Sequence, residues 1–94
     1  MTIPEIRHEP ENSRFTATTE GGEAALEYLR DGRRITFTHT GVPPESEGQG
    51  IGGALAKAGL DYARGEGLHV RPMCPFIADF VKRNPEYQSL VEQR

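Results

Sequence analysis

Near residue 42 the hydrophobic period of the chain changes, and that change limits the folds open to it. Arg34-Ile-Thr-Phe-Thr-His-Thr40 alternates apolar and polar positions, as a half-buried strand does. Pro43-Pro44 breaks the strand. From Gln49 onward Ile51, Leu55, Ala58 and Tyr62 recur at helical spacing, and Gly65 or Gly67 ends the helix. Leu68-His-Val-Arg-Pro72 then reads as a short strand. A helix between two strands of one sheet makes them parallel, joined by a right-handed crossover.

The residues before this unit read as antiparallel strands. Ile6-Arg-His8 forms a short edge strand ended by Pro10, and Asn12-Ser13 turns into Arg14-Phe-Thr-Ala-Thr-Thr19, which is rich in β-formers. Gly21-Gly22 is expected to turn the chain into Ala24–Arg30, and Asp31-Gly32 to make the next two-residue hairpin. After the crossover, Pro75 opens a second helix with Phe76, Ile77, Phe80 and Val81 on one stripe. Asn84-Pro85 caps a last helical turn carrying Tyr87, Leu90 and Val91. The expected fold class is α+β: one domain, residues 1–94, with a mostly antiparallel sheet, one parallel β-α-β crossover and helices packed on the sheet.

Composition narrows the function. Hydrophobic residues at 35% and charged residues at 27% describe a globule rather than a disordered chain. A net charge of −3 argues against a nucleic-acid binder, which needs a basic surface. The lone Cys74 has no partner for an internal disulfide. The first dozen residues lack the apolar segment of a signal peptide, and no apolar run approaches the ~20 residues of a membrane span. A cytoplasmic protein, monomeric or weakly dimeric and engaging neither membrane nor nucleic acid, is the expectation. No Cys-x-x-Cys or His-x-x-x-His pair suggests a metal site.

Glu47-Gly-Gln-Gly-Ile-Gly-Gly-Ala-Leu55 places four glycines, Gly48, Gly50, Gly52 and Gly53, at the mouth of the first helix. A helix N-terminus carries about half a positive charge and several unpaired amides, and glycines let an anion reach them. Gly48, Gly50 and Gly53 satisfy G-x-G-x-x-G, but too many residues separate them from the strand, and no acidic residue follows to hold a ribose. A nucleotide P-loop is excluded because no Gly-Lys-Ser/Thr follows. Two readings stay open on the residues alone: a phosphate cradle, or a glycine-rich loop that lets helix and sheet pack closely.

Glu47-Gly-Gln-Gly-Ile-Gly52 resembles the pyrophosphate loop of the GNAT acetyltransferases, Gln/Arg-x-x-Gly-x-Gly/Ala, at both glycines. Glu47 stands where that pattern has Gln or Arg. The order of His39-Thr-Gly-Val-Pro-Pro44, the glycine run, Leu60-Asp-Tyr-Ala-Arg64, Pro72-Met-Cys-Pro-Phe76 and Asn84-Pro-Glu-Tyr87 is similar to the short, stand-alone YjdJ-type branch, over essentially the whole chain. The resemblance implies a trimmed GNAT fold and a site for acetyl-CoA or CoA. It implies cofactor contacts at Val42, Gly48, Gln49, Gly50, Ile51, Gly52 and Gly53.

Topology adds Cys74 and His39 to the site. Strand 34–42 and the parallel strand 68–72 end on the same side of the sheet, where ligands collect in such crossovers. Period-two counting puts His39 on the face of Ile35 and Phe37. A helix terminus moves a thiol by less than about one pKa unit, so nucleophilic chemistry at Cys74 needs a base, and His39 is the candidate. The resemblance marks both as candidate catalytic residues. On the residues alone, a solitary cysteine is more often a small buried hydrophobe, and a histidine beside such neighbours a satisfied core residue. His8 and His69 read as surface or edge-strand residues and Tyr62 as core. Tyr87 is either packing or, by analogy with larger GNATs, a general acid.

The leading expectation is an acetyl-CoA-dependent N-acetyltransferase acting on a small-molecule or peptide amine, by direct attack or through an acyl-cysteine. Its rivals are a CoA-binding module with little catalysis and a structural partner-binding domain without CoA affinity.

Overall fold

The computed structural model describes residues 4–91. Five strands form one sheet in the order β1-β2-β3-β4-β5: Arg7–Glu9, Arg14–Thr19, Gly22–Asp31, Arg34–Gly41 and His69–Pro72. The first four pair antiparallel, while β4 and β5 run parallel across helix α1, Ile51–Glu66. Helix α2, Pro75–Arg83, follows β5, and a 3-10 stretch, Pro85–Leu90, stands where a last helical turn was expected. Val91 then bridges in parallel to Val70. Among the described residues no helix is long and apolar enough to cross a membrane.

Alternation in the strands aims one face at α1. Leu26, Tyr28, Ile35, Phe37 and Val70 from the sheet are buried with Ile51, Leu55, Leu60 and Ala63 from the helix. Each large apolar side chain so buried stabilises the fold by about 1.5–3 kcal/mol. The helix sits close to the sheet at Gly59, where a β-carbon would meet Leu26 Cδ2 at 2.8 Å and Phe37 Cε1 at 2.9 Å.

Both hairpin turns lie one residue from their expected places. Thr19 pairs with Gly22, so Glu20-Gly21 is the first turn. Asp31 pairs with Arg34, so Gly32-Arg33 is the second. Gly32 has φ 59° and Arg33 is not in the positive-φ region, as when glycine leads a two-residue turn. Of the two glycines expected to end α1, Gly67 does so. Its amide and that of Leu68 close back on Arg64 and Ala63, with Leu68 and Ala63 both buried.

The larger departure lies in β4. Tyr28 pairs with Phe37 but Glu27 pairs with His39, which leaves Thr38 as an extra, bulged residue. One extra residue reverses every side chain beyond it. His39 therefore does not share the buried face of Ile35 and Phe37. It is exposed opposite Glu27, and Thr40 takes the inward phase opposite Leu26.

Candidate active site

The β4–β5 ladder ends at Phe37↔Pro72, whereas β4 continues to Gly41. The Cys74 amide donates to the Phe37 carbonyl at 2.9 Å, and α2 then carries the chain away. Residues 38–41 of β4 thus lie beyond the reach of the β5 ladder. Past them the chain makes a 3-10 turn at Pro44–Ser46, runs extended at Glu47 and enters α1 through Gly50.

Gly48 at φ 84° and Gly50 at φ 82° hold left-handed backbone that costs a residue with a β-carbon about 1–2 kcal/mol. This geometry explains two of the four glycines. Gly50 is the N-cap and, having no side chain, caps none of the first-turn amides. Over them lies a hollow of about 390 Å³, a volume in the range of small-molecule sites.

The hollow brings together most of the expected cofactor contacts: Val42, Gly48, Gly50, Ile51, Gly52 and Gly53 all line it, and Gln49 does not. Thr40, Ser46 and Phe76 also line it and were not anticipated. Glu47 brings a carboxylate to the rim where a phosphate would favour a donor. A β-carbon at Gly52 would stand 2.9 Å from Phe76 Cζ, so this glycine is explained by packing as well as by access. Close packing therefore accounts for Gly52, and left-handed backbone for Gly48 and Gly50. Phe76 also borders a second hollow of about 220 Å³ with Gly53, Phe80, Arg83 and Asn84.

Cys74 is buried, and its Sγ lies 3.3 Å from Thr40 Oγ1. His39 is not brought to it: the bulge at Thr38 turns the ring outward, where Nε2 would lie 3.3 Å from a β-carbon at Gly41. Period-two counting had no means of seeing an inserted residue. The pairing of Cys74 with a histidine base is thus replaced by a contact with a hydroxyl.

Tyr87 is buried and donates to Asp61 Oδ1 at 2.7 Å. Burial raises the Asp61 carboxyl, but hydrogen bonds from Tyr87 and Lys57 outweigh it and hold the group below its usual range. Burial, and then the Asp61 contact, push the Tyr87 hydroxyl up. Tyr87 fastens the C-terminal segment to α1 and does not line the hollow. His69 is exposed on β5. His8 is on the edge strand as expected, yet stacks on Phe15 at 4.1 Å and meets the Tyr28 hydroxyl at 2.6 Å.

The family model of the GCN5-related N-acetyltransferases matches residues 14–90. The chain belongs to the GCN5-related N-acetyltransferase family. It is similar to the NMR solution structure of a GCN5-like protein from Staphylococcus aureus, with 29% identity and a TM-score of 0.76 over 100% of this chain and 93% of that one. These likenesses reach the GCN5-related family and not the YjdJ-type branch within it. No curated protein matches. A GCN5-related chain of this length keeps the crossover and the glycine-mouthed helix that together make the hollow.

Proposed function

We propose that this chain is an acetyl-CoA-dependent N-acetyltransferase that acts on an amine. The observation carrying the reading is the hollow over the uncapped mouth of α1, placed where β4 outruns its parallel partner. The residues fit the group: Gly48 and Gly50 present no β-carbons, and the first-turn amides of a helix favour an anion. Ile51, Gly52 and Gly53 would hold the diphosphate with their amides. Val42 and the free edge of β4 would receive the pantetheine arm. Phe76 and Phe80, around the second hollow, offer rings to the nucleotide end, and Arg83 beside them is paired with Asp79.

When bound, acetyl-CoA supplies an acetyl group activated as a thioester. Thr40, near the end of β4, lines the hollow where the acetyl end would reach, and Cys74, at the start of α2, lies behind it in contact with its hydroxyl. Cys74 contacts Thr40 rather than a base, which favours direct attack by a neutral amine over an acyl-cysteine.

A second reading, a CoA-binding module with little catalysis, would use the same hollow and differ in turnover. Calorimetry with CoA tests the binding that both readings require, and turnover against a panel of amines separates them. A Gly50→Asp variant should lose CoA binding, since it puts a carboxylate at the anion site. Absence of CoA binding by the unaltered protein at millimolar ligand would overturn both.

A further inference from the structure

We propose that the Ser46 hydroxyl is a ligand donor held in reserve, one that hydrogen-bonds a diphosphate oxygen when CoA fills the hollow at the mouth of α1. The inference rests on the reading of that hollow as a CoA site and assigns a residue within it.

Ser46 is 1% exposed, and its Oγ is a buried side-chain oxygen without a hydrogen-bond partner. Folded proteins leave few such groups, because a buried hydroxyl that gives up water and gains nothing opposes folding. The hydroxyl does not build the local turn. The Ser46 amide already donates to the Pro43 carbonyl at 2.9 Å, and the Glu47 amide closes on Pro44. The side chain is therefore spare as far as the loop is concerned.

Its place gives it a use. Ser46 lines the hollow together with Gly48 and Gly50. Of the side chains that line it, Thr40 and Ser46 carry hydroxyls, and Thr40 is engaged with Cys74. Glu47 next door is an acceptor when ionised and has nothing to give a phosphate. Ser46 is thus the lining hydroxyl with no side-chain partner, whereas Thr40 shares its own with Cys74, whichever of the two donates. A serine hydroxyl swings about one bond between staggered positions, and a change of rotamer is the movement that would turn the buried Oγ toward a ligand.

Calorimetry with CoA and with dephospho-CoA, on the unaltered protein and on Ser46→Ala, tests the assignment alongside ligand-free thermal melts. Ser46→Ala should bind both ligands at least about tenfold more weakly, the loss expected for a hydrogen bond to a charged group. Its ligand-free melting temperature should equal or exceed that of the unaltered protein, because an unsatisfied group has been removed. Equal losses for the two ligands put the contact on the diphosphate rather than the 3′-phosphate. Unchanged affinity overturns the proposal, as does a loss confined to CoA. A weaker affinity accompanied by a lower melting temperature also overturns it, since that marks a structural hydroxyl bridged by buried water. If the unaltered protein binds CoA and Ser46→Ala binds it equally, this assignment falls alone. If the unaltered protein ignores CoA, the reading of the site falls with it.

Discussion

Thr40 Oγ1 lies 3.3 Å from Cys74 Sγ, in the place that alternation along β4 reserves for His39. The bulge at Thr38 makes the exchange: it advances the strand by one residue and turns the imidazole to the opposite, exposed face. A hydroxyl does not serve a thiol as a base at neutral pH, whereas an imidazole does. Acetyl-CoA incubation followed by rapid quench and intact-mass measurement should find Cys74 unacetylated, and His39→Ala should alter turnover less than about twofold. A labile acetyl on Cys74, or a hundredfold loss in the histidine variant of the size general-base removal produces, would restore the acyl-cysteine route.

Gly52→Ala separates access from stability. The new methyl would stand 2.9 Å from Phe76 Cζ, the far end of a partly exposed side chain, so the ring has to swing aside. Alanine is the better helix former by up to about 1 kcal/mol, which offsets part of that strain. Chemical denaturation should therefore change by less than about 1 kcal/mol, while CoA affinity falls several-fold as the displaced ring crowds the hollow. In a Phe76→Ala background, Gly52→Ala should cost little further affinity because the ring it displaces is gone, and a strictly additive double mutant would show that ring and glycine act separately.

Gly59→Ala behaves differently because its neighbours have nowhere to go. The methyl would meet Leu26 Cδ2 at 2.8 Å and Phe37 Cε1 at 2.9 Å, both on fully buried side chains. Overpacking of this kind costs about 1–3 kcal/mol, more than the helical preference of alanine returns. Urea unfolding should register the loss as a lower midpoint with an unchanged slope. A variant as stable as the original would mean that helix and sheet separate more easily than their contacts indicate.

The architecture was legible because its signals are local or periodic. The change of period near Val42 marks the crossover, and Pro75 marks the start of α2, without any knowledge of neighbours. The glycine run marks the mouth of α1 for the same reason. What escaped needed a partner strand or a third dimension. Each hairpin turn moved by one residue because Thr19↔Gly22 and Asp31↔Arg34 close as strand pairs, which turn-residue preference alone does not weigh. Thr38 is bulged with no glycine or proline to announce it. Ser46 and Phe76 look ordinary in sequence, and they matter through where the loop and α2 set them.

His8 makes the fold sensitive to acid. Its ring stacks on Phe15 with 5° between planes, lies edge-on to Tyr62 and meets the Tyr28 hydroxyl, with Arg30 bonded to Tyr62 nearby. Burial lowers the pKa of His8 from its ordinary value, and the opposing pull of Glu11 is smaller. The unfolded chain then binds a proton more readily than the folded one. Stability is at its full value above the unfolded pKa near 6.5 and declines as pH falls from there toward the lower folded pKa. Denaturation midpoints taken between pH 7.5 and pH 5.5 should fall in the unaltered protein, and His8→Gln should remove part of that slope while lowering stability at pH 7.5 through the lost stacking. Should the slope persist unchanged in His8→Gln, the titrating group would lie elsewhere in the chain.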